Sequence, residues 1–179
     1  MRNMTCEYAV YFKLLLLCGY TEELQQYIED ALTEQDPLSD VILELSLIGK
    51  DSKKMLSVLN KYILSFKDSD IDYDKTVFSL VMSFIKKKYA DEAMPRKDIA
   101  ELMYELAVHT ERYFDEPWQT MYFMGDLFYE AEVGYIDKID FLNKFDAFIK
   151  DEICFSDYPD VIPQESFFKR LLRKLRIIR

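Results

Sequence analysis

A chain of 179 residues, half of them hydrophobic and 15% aromatic, is long enough to bury a sizeable core and too apolar to stay disordered. Only 4 Gly and 5 Pro interrupt it, too few turn-formers for a β-sandwich of this size, so long helices are expected. A formal charge of -10 repels nucleic acid and anionic lipid and attracts basic partners or cations.

Apolar residues recur at helical spacing along almost the whole chain. The first predicted helix covers residues 5–18 and stops at Gly19. Its run Leu14-Leu15-Leu16-Leu17 before Cys18 could pass for a signal segment, but Lys13 interrupts it, and Leu17 stands where a cleavage site needs a small residue. It also falls short of the ~20 apolar residues of a membrane span. It therefore reads as a buried core helix in a cytoplasmic protein. Cys6, Cys18 and Cys154 are odd in number and widely spaced, which argues against a disulfide framework or a zinc knuckle and suits a reducing compartment.

Thr21 caps a second helix, with Glu22 and Glu23 in a first turn where the helix dipole favours anions. Leu24, Tyr27, Ile28, Ala31 and Leu32 form its stripe, and it ends before Asp36-Pro37. A third helix carries Leu38, Val41, Ile42, Leu45 and Ile48 and ends at Gly49; Asp51 or Ser52 caps a fourth, with Met55, Val58, Leu59, Tyr62, Ile63 and Phe66. A polar connector over residues 67–72 leads to a fifth, with Val77, Leu80, Val81, Phe84 and Ile85. Pro95 suits the first turn of a sixth, whose stripe is Ile99, Leu102, Met103, Leu106 and Tyr113. Pro117 opens a seventh with Trp118, Met121, Tyr122, Met124, Phe128 and Tyr129. After Gly134 an eighth carries Ile139, Leu142, Phe145, Ile149 and Ile153, and a last helix spans residues 164–179. The predicted fold is one all-α domain over residues 1–179, an irregular bundle of eight or nine helices. Stacked helical hairpins of α-solenoid type, starting near Thr5, Leu38 and Tyr73, are the second arrangement.

Charge is the most informative pattern. From Leu14 to Gly49 there is no Lys or Arg, but there are Glu22, Glu23, Glu29, Asp30, Glu34, Asp36, Asp40 and Glu44. From Glu111 to Asp160 thirteen acidic residues face four basic ones. The last predicted helix reverses this: Lys169, Arg170, Arg173, Lys174, Arg176 and Arg179 alternate with Phe167, Phe168, Leu171, Leu172, Leu175, Ile177 and Ile178, so the first 164 residues carry -15. This basic amphipathic helix is expected to pack on the acidic body rather than on an anionic membrane. It either docks on its own chain or swaps onto a second one in a homodimer.

Catalytic equipment is sparse. The single histidine, His109, follows Glu101 and Glu105 at helical spacing, which would place the three for acid–base or metal work. A di-iron centre needs a second Glu-x-x-His pair, and the chain has no second histidine. His109 falls on the stripe of Ile99, Leu102, Leu106 and Tyr113, so a partly buried packing role, held by Glu105, is the stronger expectation. Cys18 or Cys154 could act as nucleophile only with His109 as base, and nothing in the spacing supports that. There is no P-loop, dinucleotide fingerprint or nucleophile elbow, and no cofactor is expected. The aromatic group Trp118, Tyr122, Phe123, Phe128 and Tyr129 is expected in the core rather than in an interface hot spot.

The basic-free stretch from Thr21-Glu22-Glu23 to Asp36-Pro37-Leu38-Ser39-Asp40, and the acidic-aromatic region from Asp115 to Tyr135, resemble those of the small, acidic, all-helical immunity proteins that bacteria keep beside secreted toxins. The resemblance is one of size, charge and helix content across the chain, and no functional residue is carried over from it. It implies occlusion of a basic toxin domain by charge and shape complementarity. The basic tail departs from that pattern. Two further readings are a helical-repeat adaptor that binds a peptide or protein, and an enzyme centred on Glu101, Glu105 and His109. The residues expected to meet a basic protein partner are Glu22, Glu23, Glu29, Asp30, Glu34, Asp36 and Asp40.

Overall fold

In the computed structural model, which describes residues 4–34, 37–91 and 94–150, the helix starts follow the capping chemistry of the sequence. The Thr5 hydroxyl accepts from the Tyr8 backbone N–H at 3.3 Å and opens α1, Cys6–Leu17. Asp51 does the same for α4, Ser52–Ile63, and Asp137 for α8, Lys138–Ile149. Between α1 and α4 lie α2, Glu22–Glu34, and α3, Asp40–Ile48. Then come α5, Phe78–Ala90, α6, Arg96–His109, and α7, Trp118–Glu132. The described residues hold these eight α-helices and no strand, so the fold class is all-α; a bundle and stacked hairpins both remain compatible with them.

Gly19 closes α1 as expected. Its φ of +85°, open to glycine without a Cβ clash, lets its N–H reach the Leu16 carbonyl at 3.1 Å while Tyr20 N–H reaches Leu15 at 2.9 Å. The connector over residues 67–72 is polar but not shapeless. It contains a 3-10 turn, Asp68–Asp70, and buries Ile71. Asp72 then caps a π-helical turn, Tyr73–Val77, that runs directly into α5. Pro95 sits one residue earlier than expected, at the N-cap of α6 rather than inside its first turn.

The chain divides after Asp126 into two compact units. In the first, α1 is the central element and packs against α4, α5 and α6. Eight of the twelve residues of α1 are buried, Cys6, Ala9, Val10, Tyr11, Phe12, Leu14, Leu15 and Leu16, on more than one side of the helix. Each large aliphatic side chain so buried contributes about 1.5–3 kcal/mol of transfer free energy. Tyr62 of α4 ties the start of the chain down by donating to the Met4 carbonyl at 2.7 Å. Trp118, the only tryptophan, is fully buried and meets Phe78 edge-to-face at 5.2 Å; its indole N–H has no acceptor among the described residues. In the second unit Phe128, Phe141 and Phe145 form a ring triad with centroids 5.9–6.0 Å apart.

Several stripe positions are corrected. Ile139 is 74% exposed, because α8 turns Phe141, Phe145, Phe148 and Ile149 inward instead. Tyr129 is 68% and Phe123 41% exposed, so of the aromatic group only Trp118 and Phe128 lie in the core. The predicted last helix over residues 164–179, together with Ile153 and Cys154, lies outside the described residues. No described helix is long and apolar enough to cross a membrane.

Candidate functional site

The acidic face nominated by the sequence is carried mainly by α2. Leu24, Ile28 and Ala31 recur at helical spacing and are buried, which leaves Glu22, Glu29, Asp30 and Glu34 exposed on the other side; Asp40, at the start of α3, is also exposed. Glu23 differs from them, being partly covered and ion-paired with Lys87 of α5 at 2.8 Å. Asp30 accepts from the Gln26 side chain at 2.8 Å. Asp36 lies outside the described residues. α2 has no basic residue in its last turn, where a cation would suit the helix dipole, and carries Glu34 there instead. Asp30 and Glu34, four apart, also repel. Helix stability accounts for Glu22 in the first turn and for the Gln26–Asp30 pair, but not for Glu34.

Glu101, Glu105 and His109 do not converge. Each four-residue step turns about 40° around a helix axis, so the third side chain points about 80° away from the first. Glu101 and Glu105 line a surface hollow of about 300 Å³ with Tyr104, Gly125 and Asp126. His109 instead borders a separate cavity of about 420 Å³. It is exposed, which corrects the expectation of a packing residue held by Glu105. Among the described residues no group of three or more His, Cys, Asp and Glu is placed to hold a metal ion. The thiols are shifted away from nucleophilic use: burial pushes Cys18 up to about 12 and Cys6 up to about 11.

The 420 Å³ cavity joins residues far apart in sequence. α1 supplies Val10, Lys13 and Leu14, and the end of α4 supplies Ile63. Arg112 closes one side, bonded to Asp68 at 2.9 Å with its guanidinium 4.1 Å from the Tyr73 ring centroid. Burial and the neighbouring Asp68 push the Tyr73 phenol up to about 12. Glu111, also on the wall, holds a φ of +60° as the first residue beyond the α6 cap Thr110. The lining mixes Lys13 and Arg112 with Asp68, Glu111 and Asp115, so it offers no uniform field to a charged ligand.

The smaller hollow is of one sign and is built on a close helix crossing. A Cβ on Gly125 would meet the Tyr104 Cβ at 2.7 Å and the Ala100 carbonyl oxygen at 3.1 Å, so glycine lets α7 approach α6 there. Beside it runs a chain of rings: Tyr104 to Tyr122 at 4.9 Å, Tyr122 to Tyr113 at 5.4 Å and to Phe123 at 5.7 Å, and Tyr113 to Phe114 at 4.4 Å. Hydrogen bonding to the Tyr104 side chain, with desolvation adding to it, raises the Tyr122 pKa. Phe114 is 76% exposed. Glu105 and Asp126 carry no ion pair among the described residues, and Glu101 has only the exposed Lys97 at 3.6 Å.

Reading the sequence alone missed this juxtaposition, since Tyr104, Tyr113 and Gly125 come from separate segments. One signal was available: a lone glycine inside a helical pattern costs stability and usually has a packing reason. No protein-family model, no curated protein and no solved structure matches the chain.

Proposed function

We propose that this protein is a non-enzymatic binding domain of immunity or antitoxin type, which occludes a basic protein partner through its acidic surface. The observation that carries this reading is α2: Glu22, Glu29, Asp30 and Glu34 are exposed and no basic residue stands on the helix, while Glu34 sits in the last turn against the helix dipole and four residues from Asp30. Same-sign patches cost self-repulsion, and a cationic partner would relieve it. Such a field steers encounter and selects partners by charge. The separation of His109 from Glu101 and Glu105, and the raised thiol pKa values, fit a binding role better than an enzymatic one.

The test is co-purification with the product of the neighbouring gene. A complex should form at low ionic strength and weaken steeply as salt is added. Replacing Glu22, Glu29, Asp30 and Glu34 by their amides should slow association about ten-fold. A basic neighbouring product that forms no complex even at low salt would sink the proposal.

A further inference from the structure

The 420 Å³ cavity is lined by charges that do not satisfy one another. Lys13 leaves α1 between the buried Phe12 and Leu14 and is itself half-buried. Among the described residues it makes no ion pair, and neither do Glu111 and Asp115 on the same lining. Arg112 and Asp68, by contrast, are engaged with each other, the guanidinium lying over the Tyr73 ring. A simple anion entering here would meet three carboxylates, and a simple cation would meet Lys13 and Arg112. A ligand that carries both signs, held the right way round, meets neither penalty.

Two uncommon backbone features border the same cavity. Among the described residues Glu111 is the one non-glycine with a positive φ, and Tyr73 opens the one π-helical turn. Glycine suits the Glu111 position better, so a carboxylate stands there at a conformational cost. Features of both kinds gather at ligand sites, where the surrounding structure holds them in place. The volume also falls within the roughly 300–1,000 Å³ of small-ligand sites.

We propose that this cavity binds a small zwitterion of the free α-amino acid class, with its carboxylate on Lys13 and its ammonium on Glu111 and Asp115. Arg112, already pinned between Asp68 and Tyr73, serves as a rigid wall that needs no ordering on binding. Val10, Leu14 and Ile63 supply the apolar part of the lining, which suits an aliphatic side chain. Every residue invoked lies in the first compact unit. The site is separate from the α2 face offered to a basic partner and stands or falls independently of it.

The test is an NMR titration of the full-length chain with L-leucine, N-acetyl-L-leucine and L-leucinamide up to millimolar concentrations. The second ligand lacks the ammonium and the third lacks the carboxylate. Saturable shifts of the Lys13, Glu111 and Asp115 amide signals are expected with leucine, and binding about ten-fold weaker with either derivative. Lys13→Met, which keeps the stem and removes the charge, should weaken leucine about ten-fold and leave leucinamide within about two-fold. Glu111→Gln combined with Asp115→Asn should weaken leucine likewise and spare N-acetyl-leucine. These two positions are exposed, so the pair decides the matter even if Lys13→Met unfolds. Glu111→Gly should raise the urea midpoint while still weakening leucine, a combination that loss of structure cannot produce. Absence of saturable shifts with leucine, equal binding of the three ligands, or variants that weaken all three alike would overturn the proposal.

Discussion

Gly125 shows how a single hydrogen in place of a methyl group positions a surface. Helix propensity alone favours Gly125→Ala by about 1 kcal/mol. The new Cβ would nevertheless collide with Tyr104 Cβ, 2.7 Å away, and with the Ala100 carbonyl. Neither is the free end of a flexible side chain, so α6 and α7 must move apart. We expect Gly125→Ala to lose about 1–3 kcal/mol of stability, read from the urea midpoint at constant slope. A gain in stability would show that the helices can separate without cost. Glu111 illustrates the opposite case, a residue with a Cβ held at a φ of +60° where glycine is the usual occupant.

Among the elements, the entry to α5 has the clearest chemistry. Asp72 accepts from the Thr76 hydroxyl at 2.8 Å and from the backbone N–H groups of Thr76 and Lys75 at 3.2 and 3.3 Å. The Thr76 hydroxyl bond, with the backbone bonds adding to it, holds the carboxyl below its ordinary 3.8. A depressed folded-state pKa contributes stability above the unfolded value and loses it as pH falls through the folded one. Asp72→Asn keeps a cap acceptor but cannot titrate, so urea unfolding followed from about pH 6 to pH 3 should show a shallower acid loss than the parent. Identical slopes would mean the carboxylate is as free in the folded chain as in the unfolded one. Helix positions were largely legible in the sequence, because caps such as Thr5 and Asp51 and stops such as Gly19 and Gly49 are local chemistry. Which stripe residues are covered was less so. Periodicity groups Ile139 with Leu142 and Phe145, but only the packed fold shows that Phe141 and Phe148 turn inward in its place. The α6–α7 crossing had one signal, the lone Gly125 inside a helical pattern, but no local spacing relates Tyr104 to Tyr122.

At the level of the whole molecule, electrostatics favours opening the chain. The formal charge is -10, and the ion pairs joining distant elements among the described residues include Lys87 to Glu23 and Arg112 to Asp68. Such partly exposed pairs are worth about 0–1 kcal/mol each, so screening them costs less than screening the self-repulsion gains. Raising NaCl from about 0.02 M to about 0.5 M should therefore raise the urea midpoint. A fall would mean that paired charges outweigh the unpaired acidic surface. The placement of Trp118 makes such measurements direct. As the sole indole, fully buried and edge-on to Phe78, it emits from an apolar site that aqueous quenchers do not reach. The chain thus carries its own fluorescence gauge of unfolding.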